Sequence, residues 1–132
     1  MRYLLDTNVV IDILRDNPVV TSRYQTETVK RNEIVICPIV YYEVARGFEI
    51  GGSINKLKKF LQLYQNWKML LFDEKSAKQA VDIYARLHKG NTIEDTDIYI
   101  AAIAMVNGCA LVTANVNHFS RVEGLNFVNW RI

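Results

Sequence analysis

Apolar residues gather in a few short unbroken runs, separated by longer stretches where they recur every three or four positions. The first kind of run reads as buried strand and the second as helix. Tyr3-Leu4-Leu5 is a short strand, and Asp6-Thr7-Asn8 then places three helix-capping residue types ahead of Val9-Val10-Ile11. A helix is predicted from Asn8 to Arg15, stopped near Asn17-Pro18, with a second amphipathic segment from Val19 to about Arg31. Ile34 to Cys37 is a continuously apolar strand, and Pro38 opens a helix that runs to Ile50 before Gly51-Gly52-Ser53 breaks it. Lys56 to Asn66 carries Leu57, Phe60, Leu61 and Tyr64 on one helical face, and Lys68 to Phe72 is a third strand.

The second half repeats the alternation. Ala77, Ala80, Val81, Tyr84 and His88 share a helical stripe from Glu74 to Lys89, ended by Gly90-Asn91. Ile98 to Val106 is apolar nearly all round, the mark of a helix buried on most sides, and Asn107-Gly108 closes it. Ala110-Leu111-Val112 is a fourth strand and Leu125 to Val128 a fifth. Strands alternating with helices predict an α/β fold: one mostly parallel sheet of four to five strands with helices on both faces. No repeat or linker interrupts residues 1–132, so a single domain is expected. In such sheets the ligand crevice lies at the carboxyl ends of the strands.

Composition narrows the picture. Half of the 132 residues are hydrophobic and 23% are charged, which supports a packed core. A net charge of +2 excludes the strong basic excess of a protein that coats DNA, while permitting a local basic track. Cys37 and Cys109 each lie inside apolar runs and read as buried free thiols in a reducing cytoplasm; no metal-type spacing joins them to His88 or His118. The N-terminus does not resemble a signal peptide, and no apolar stretch approaches the ~20 residues of a membrane span. A soluble, cytoplasmic protein without membrane contact is expected.

The acids fall at one place on this scheme. Asp6 follows the first strand directly, Glu43 lies a turn and a half into the helix after the second, Asp95 and Asp97 open the buried helix, and Asn115 comes shortly after the fourth strand. All belong to the carboxyl rim of the sheet. Carboxylates crowded into one pocket raise each other's pKa, so the arrangement is costly unless a cation is held there. Oxygen donors without sulfur suit Mg²⁺ or Mn²⁺, which hold phosphate oxygens and assist in-line displacement at phosphorus. There is no glycine loop of the nucleotide-binding kind, so the phosphodiester of a polymer is the better substrate. Individually, Asp6 and Asp95 could be helix caps, and Glu43 could pair with Arg46 on a helix surface. Yet Glu43 stands among Ile39, Val40, Tyr42 and Val44, and Asp97 precedes Ile98 one turn before Ala101.

Taken in order, these residues identify a resemblance. Leu5-Asp6-Thr7-Asn8, Glu43, the run Asp95-Thr96-Asp97-Ile98-Tyr99-Ile100-Ala101-Ala102, Leu111-Val112-Thr113-Ala114-Asn115, His118-Phe119, Val122, Gly124-Leu125 and Trp130 together resemble the PIN-domain ribonucleases, specifically the VapC-type toxins of prokaryotic toxin–antitoxin pairs. The resemblance implies a single PIN domain with Asp6 and Asp97 as metal ligands and Glu43 as the third core acid. Asp95 would be a supporting acid or water-mediated ligand, Thr7 and Asn8 would orient water or phosphate, and Thr113 would steady the rim. It also implies an RNA substrate, Mg²⁺ or Mn²⁺ as cofactor, a cognate antitoxin and a homodimer. Asn115 fills the place where many members carry a fourth acid, which favours one firmly held ion with another arriving alongside RNA.

The RNA path is less marked in the sequence. Lys75, Lys78, Arg86 and Lys89, and likewise Lys56, Lys58 and Lys59, read first as solvated helix faces. His118 and Arg121 are better placed to touch phosphate. Tyr41, Tyr42, Tyr99 and Trp67 could stack on bases but read first as packing residues. Two alternatives stand beside the nuclease: a non-catalytic PIN-like scaffold that binds RNA or protein, and a phosphotransfer receiver domain with Asp73 after the third strand. The receiver lacks its expected lysine after the last strand, Asn126-Phe127-Val128-Asn129.

Overall fold

The computed structural model describes residues 1–87 and 90–132. The two positions between, His88 and Lys89, lie outside the described residues, as do the roles considered for them. Five parallel strands form one sheet in the order β3-β2-β1-β4-β5: β1 Arg2–Leu5, β2 Glu33–Ile36, β3 Lys68–Met69, β4 Ala110–Val112 and β5 Phe127–Val128. The chain starts in the middle, steps outward to β2 and β3, then returns past β1 to β4 and β5. Right-handed crossovers send these two directions of travel to opposite faces. The helices after β1 and β2 are α1 Thr7–Leu14, α2 Pro18–Val29, α3 Pro38–Ile50 and α4 Ile54–Leu63, and they pack on one another. Those of the return path, α5 Glu74–Arg86, α6 Asp95–Val106 and α7 Val116–Phe119, form the second layer. The direction reverses between β1 and β4, which makes their carboxyl ends the switch point where such folds bind ligands.

The central strands are buried on both faces, with Leu4, Leu5, Val35, Ile36, Leu111 and Val112 inaccessible. The helix read as buried on most sides is so: Ile98 and the whole stretch Ile100–Ala104 are in the core. It ends through Asn107 and Gly108, whose φ of +63° is the left-handed cap that glycine adopts without strain. Cys37 and Cys109 are buried free thiols, and burial pushes both up to about 11. No helix among the described residues is long and apolar enough to cross a membrane.

Several expectations need correction. The edge strands are shorter than their apolar runs. β2 ends at Ile36 because Pro38 begins α3, so β3 keeps only the pairs Val35–Lys68 and Ile36–Met69, and Leu71 and Phe72 emerge exposed. β5 is limited in the same way by the end of β4 at Val112. The Lys56–Asn66 helix is α4 followed by a separate 3₁₀ turn, Tyr64–Asn66. The second segment buries only Val20 and Glu27, so its apolar face is slight. In α5 the buried face is Ser76, Ala80 and Ile83, while Val81 and Tyr84 of the expected stripe are 70% and 59% exposed. Asp73 caps α5, its Oδ1 accepting from the Ser76 N–H (2.9 Å) and hydroxyl (2.8 Å), which gives it a structural role at that helix start. The short helix α7 was not foreseen.

Candidate active site

Asp6 follows β1 and caps α1, so one residue joins the sheet to a helix N-terminus. Its N–H donates to the Val112 carbonyl (2.9 Å), which anchors it against the end of β4. The side chain is almost fully buried. Oδ1 accepts the Thr7 N–H (2.8 Å), and Oδ2 accepts the Thr113 hydroxyl (2.7 Å) and the Asn8 amide (3.3 Å). Burial raises its pKa to about 6; the Thr113 and Thr7 bonds oppose that rise, and the charges of Asp97 and Glu43 add to it. Asp97 and Glu43 therefore both lie within electrostatic reach of Asp6.

Glu43 reaches the site from α3. Its Oε1 accepts the Thr7 hydroxyl at 2.7 Å, and the Arg46 guanidinium lies over the Tyr42 ring, 5.0 Å from its centre, so the surface pair weighed as an alternative for Glu43 does not form. Asp97, in the first turn of α6, has Oδ2 2.9 Å from His118 Nδ1. Asn115 donates its N–H to the Thr113 hydroxyl (2.9 Å) and turns its amide to His118 Nδ1 (2.9 Å). Asn8 closes the rim by accepting the Ala114 N–H at 3.1 Å.

Asp6, Glu43, Asp97, Thr7, Asn8, Thr113 and Asn115 are thus brought together. Asp95 is not. Two residues of helix turn it about 200° away from Asp97, and it is exposed, lining an apolar groove of about 330 Å³ with Phe72, Tyr84, Ile98 and Tyr99. The cap of α6 is Glu94, so Asp95 is not that helix's cap either. The contact of His118 with an acid, rather than with phosphate, was missed. Its position three residues after Asn115, one helical turn away, signals the contact with Asn115 but not the one with Asp97. Arg121 is exposed and donates to the Asn91 carbonyl at 3.5 Å. Lys59, Lys78 and Arg86 pair with Asp16, Glu74 and Asp82 on the surface. Tyr41 packs on Phe60 and Tyr64, and Trp67 donates to the Tyr24 hydroxyl (3.0 Å), so both are packing residues.

Does this donor set suit a divalent cation? Among the described residues, no three His, Cys, Asp or Glu side chains are grouped to hold an ion between them. Two carboxylates with water suffice for Mg²⁺, which dehydrates reluctantly. Among the described residues no Lys or Arg pairs with Asp6, Glu43 or Asp97. A desolvated acid beside two more, with His118 on Asp97 as the only basic side chain in contact among the described residues, is a site of concentrated negative charge. Its hard oxygen donors fit Mg²⁺ or Mn²⁺.

Comparison with known proteins gives the family of the chain. The family model for the PIN domain matches residues 3–125. Ribonuclease VapC2 of Haemophilus influenzae is 31% identical across 98% of both chains. Ribonuclease VapC1 of Rickettsia felis is 32% identical, covering 95% of this chain and 93% of its own. Among solved structures, VapBC2 from Rickettsia felis bound to a DNA fragment from their promoter superposes with a TM-score of 0.87 at 26% identity, over 98% of this chain and 99% of that one. FitAcB from Neisseria gonorrhoeae, at 24% identity and a TM-score of 0.84 over 98% of each chain, shares the fold.

Proposed function

The chain belongs to the PIN-domain family and within it to the VapC type, and on that premise we propose that it is a metal-dependent endoribonuclease, the toxin of a toxin–antitoxin pair. The observation that carries this reading is the buried Asp6 carboxyl beside Glu43 and Asp97, with no Lys or Arg pairing with the three among the described residues. The names of its relatives, ribonucleases all, support the same activity.

Asp6 and Asp97 would hold Mg²⁺ or Mn²⁺. Such an ion supplies positive charge to phosphate oxygens and acidifies water. The chain's own residues do the rest. Thr113, Asn8 and the Thr7 N–H fix the Asp6 carboxylate, and their three bonds leave a lone pair on Oδ1. The Thr7 hydroxyl fixes Glu43 through Oε1, and Oε2 has no partner among the described residues. We assign Oε2 to take the proton from the attacking water. With Asn115 at the fourth position, one resident ion is the expected complement, a second arriving with RNA. Asp95, facing the neighbouring groove, acts at most through water.

An antitoxin is the expected partner, because the similar solved structures are VapBC complexes. We place a homodimer contact on the exposed apolar strip of Leu71, Phe72, Val81 and Tyr84.

The test is cleavage of RNA by the purified chain with Mg²⁺, Mn²⁺, Zn²⁺ or excess EDTA, followed by sequencing of the cut ends. Cleavage with Mg²⁺ or Mn²⁺, abolished by chelation, is expected, and Zn²⁺ should not replace them. Cutting undiminished in EDTA overturns the metal reading. No cutting under any condition returns the non-catalytic scaffold.

A further inference from the structure

The loop from Thr113 into α7 carries an unbroken hydrogen-bonded path between two of the acids, and the proposed chemistry gives no role to His118 within it. Asp6 Oδ2 accepts from Thr113 Oγ1, which accepts the Asn115 N–H; the Asn115 amide meets His118 Nδ1, and that nitrogen meets Asp97 Oδ2. The last two contacts are each 2.9 Å and converge on a single ring nitrogen.

That nitrogen cannot satisfy a donating amide N–H and an ionised carboxylate at once. A ring nitrogen offers either a proton or a lone pair. Asn115 Nδ2 is a donor and needs the lone pair, whereas an ionised Asp97 oxygen is an acceptor and needs the proton. If Nδ1 accepted from Asn115, its lone pair would face a carboxylate oxygen at 2.9 Å. The oxygen and nitrogen of an amide are assigned from their hydrogen bonds, so exchanging them is open. The exchange puts Asn115 Oδ1 beside the same N–H, and every contact becomes favourable. The bond to the charged acid is the stronger of the two.

We infer that His118 is a positioning residue for Asp97: it carries its proton on Nδ1, donates it to Asp97 Oδ2, and is steadied by the Asn115 oxygen. Among the described residues Asp97 has no other side-chain partner, and its Oδ1 remains open. The arrangement also gives Asn115 a reason to be an amide. An acid there would compete with Asp97 for the same N–H. The inference rests on the reading of Asp97 as a metal ligand, where partners that orient a ligand change affinity by roughly 10- to 100-fold. His118 is not core filling, since its side chain is 39% exposed.

Two measurements test this independently. The first is the long-range ¹⁵N–¹H spectrum of the metal-free protein, recorded on the neutral ring. His118 should show the Nδ1–H tautomer, and Asp97→Ala should move it towards the Nε2–H form that free imidazole side chains prefer. An Nε2–H ring in the wild type overturns the inference. The second is calorimetric titration with Mg²⁺. His118→Ala should weaken binding by roughly 10- to 100-fold with little change in melting temperature. His118→Asn, whose amide reaches the Nδ1 position, should recover most of it, and His118→Gln should not. Wild-type affinity in His118→Ala overturns the positioning role. If the wild type itself binds no Mg²⁺, the metal reading fails, and the ring tautomer alone decides whether His118 holds Asp97.

Discussion

The Thr113 hydroxyl donates to Asp6 Oδ2 at 2.7 Å across 107 residues of chain, and with it the carboxyl ends of β4 and β1 are tied together at the switch point. The same oxygen accepts the Asn115 N–H, so one fully buried hydroxyl serves two elements of the site. Thr113→Val keeps the shape and removes both bonds. The expected cost is about 1–3 kcal/mol, since a buried carboxyl and an N–H lose a partner together. The Asp6 pKa should also rise further, because this bond is the largest influence lowering it. Urea unfolding and a carboxyl titration followed by NMR measure the two effects. Unchanged stability with an unchanged Asp6 titration would mean that the bond does not form.

Asp6 also sets a pH dependence with a definite sign. Its pKa rises from 3.8 unfolded to about 6 folded, so between those values the folded state binds the extra proton. Stability of the metal-free protein should therefore fall as pH climbs through this window and level off above it. The loss attributable to Asp6 is about 3 kcal/mol. Glu27 and Asp73, whose pKa values are lowered, act the opposite way. The measurement is consequently the difference between wild type and Asp6→Asn across pH 4 to 7, about the range in which Asp6 changes charge. The mutant should gain on the wild type as pH rises, and parallel curves would refute the shift.

A third expectation concerns the C-terminal end of the described chain. Trp130 is buried edge-on to Tyr3 (5.5 Å between ring centres), and Arg131 grips Asp12 of α1 with Nε and Nη2 at 2.7 and 3.1 Å. Trp130→Ala should cost about 3–5 kcal/mol. Trp130→Phe should cost far less, because the indole N–H has no partner among the described residues and its loss removes an unsatisfied buried donor. Arg131→Ala should cost under about 1 kcal/mol, its side chain being half exposed. Thermal or urea unfolding gives the ranking, and equal costs for Trp130→Phe and Trp130→Ala would contradict it.

What could be read without coordinates follows from which forces are local. Capping at Asp6, the proline start of α3 and the glycine end of α6 are written in neighbouring residues, and those boundaries fell within a residue or two. The acids converge because a parallel α/β sheet places the residues after its strands on one rim, a consequence of topology alone. Edge strands were overextended because their length depends on the partner's backbone, which lies 33 residues away for β3 and 16 for β5. The buried side of α5 was misjudged because Val81 and Tyr84 fit a helical stripe as well as Ser76 and Ile83 do. Only the packing of α6 against α5 selects between them. The His118–Asp97 contact was invisible for the same reason: it joins two helices that meet only in the fold.

The last prediction separates site from scaffold at Asp97. If Asp6, Glu43 and Asp97 share a pocket, the metal-free protein carries their mutual repulsion, and Asp97 already contributes to the raised Asp6 pKa. Asp97→Asn removes that charge while leaving an amide oxygen for the His118 N–H. Stability without metal should then be unchanged or slightly higher, with RNA cleavage lost. The stabilisation conferred by Mg²⁺ should shrink as well, because a ligand stabilises by mass action and the weakened site binds less. A purely structural Asp97 demands the reverse: a loss of roughly 1–3 kcal/mol with the magnesium response intact. Melting curves of wild type and Asp97→Asn, each with and without Mg²⁺, distinguish the two, and a destabilised variant keeping the full magnesium shift would remove Asp97 from the site.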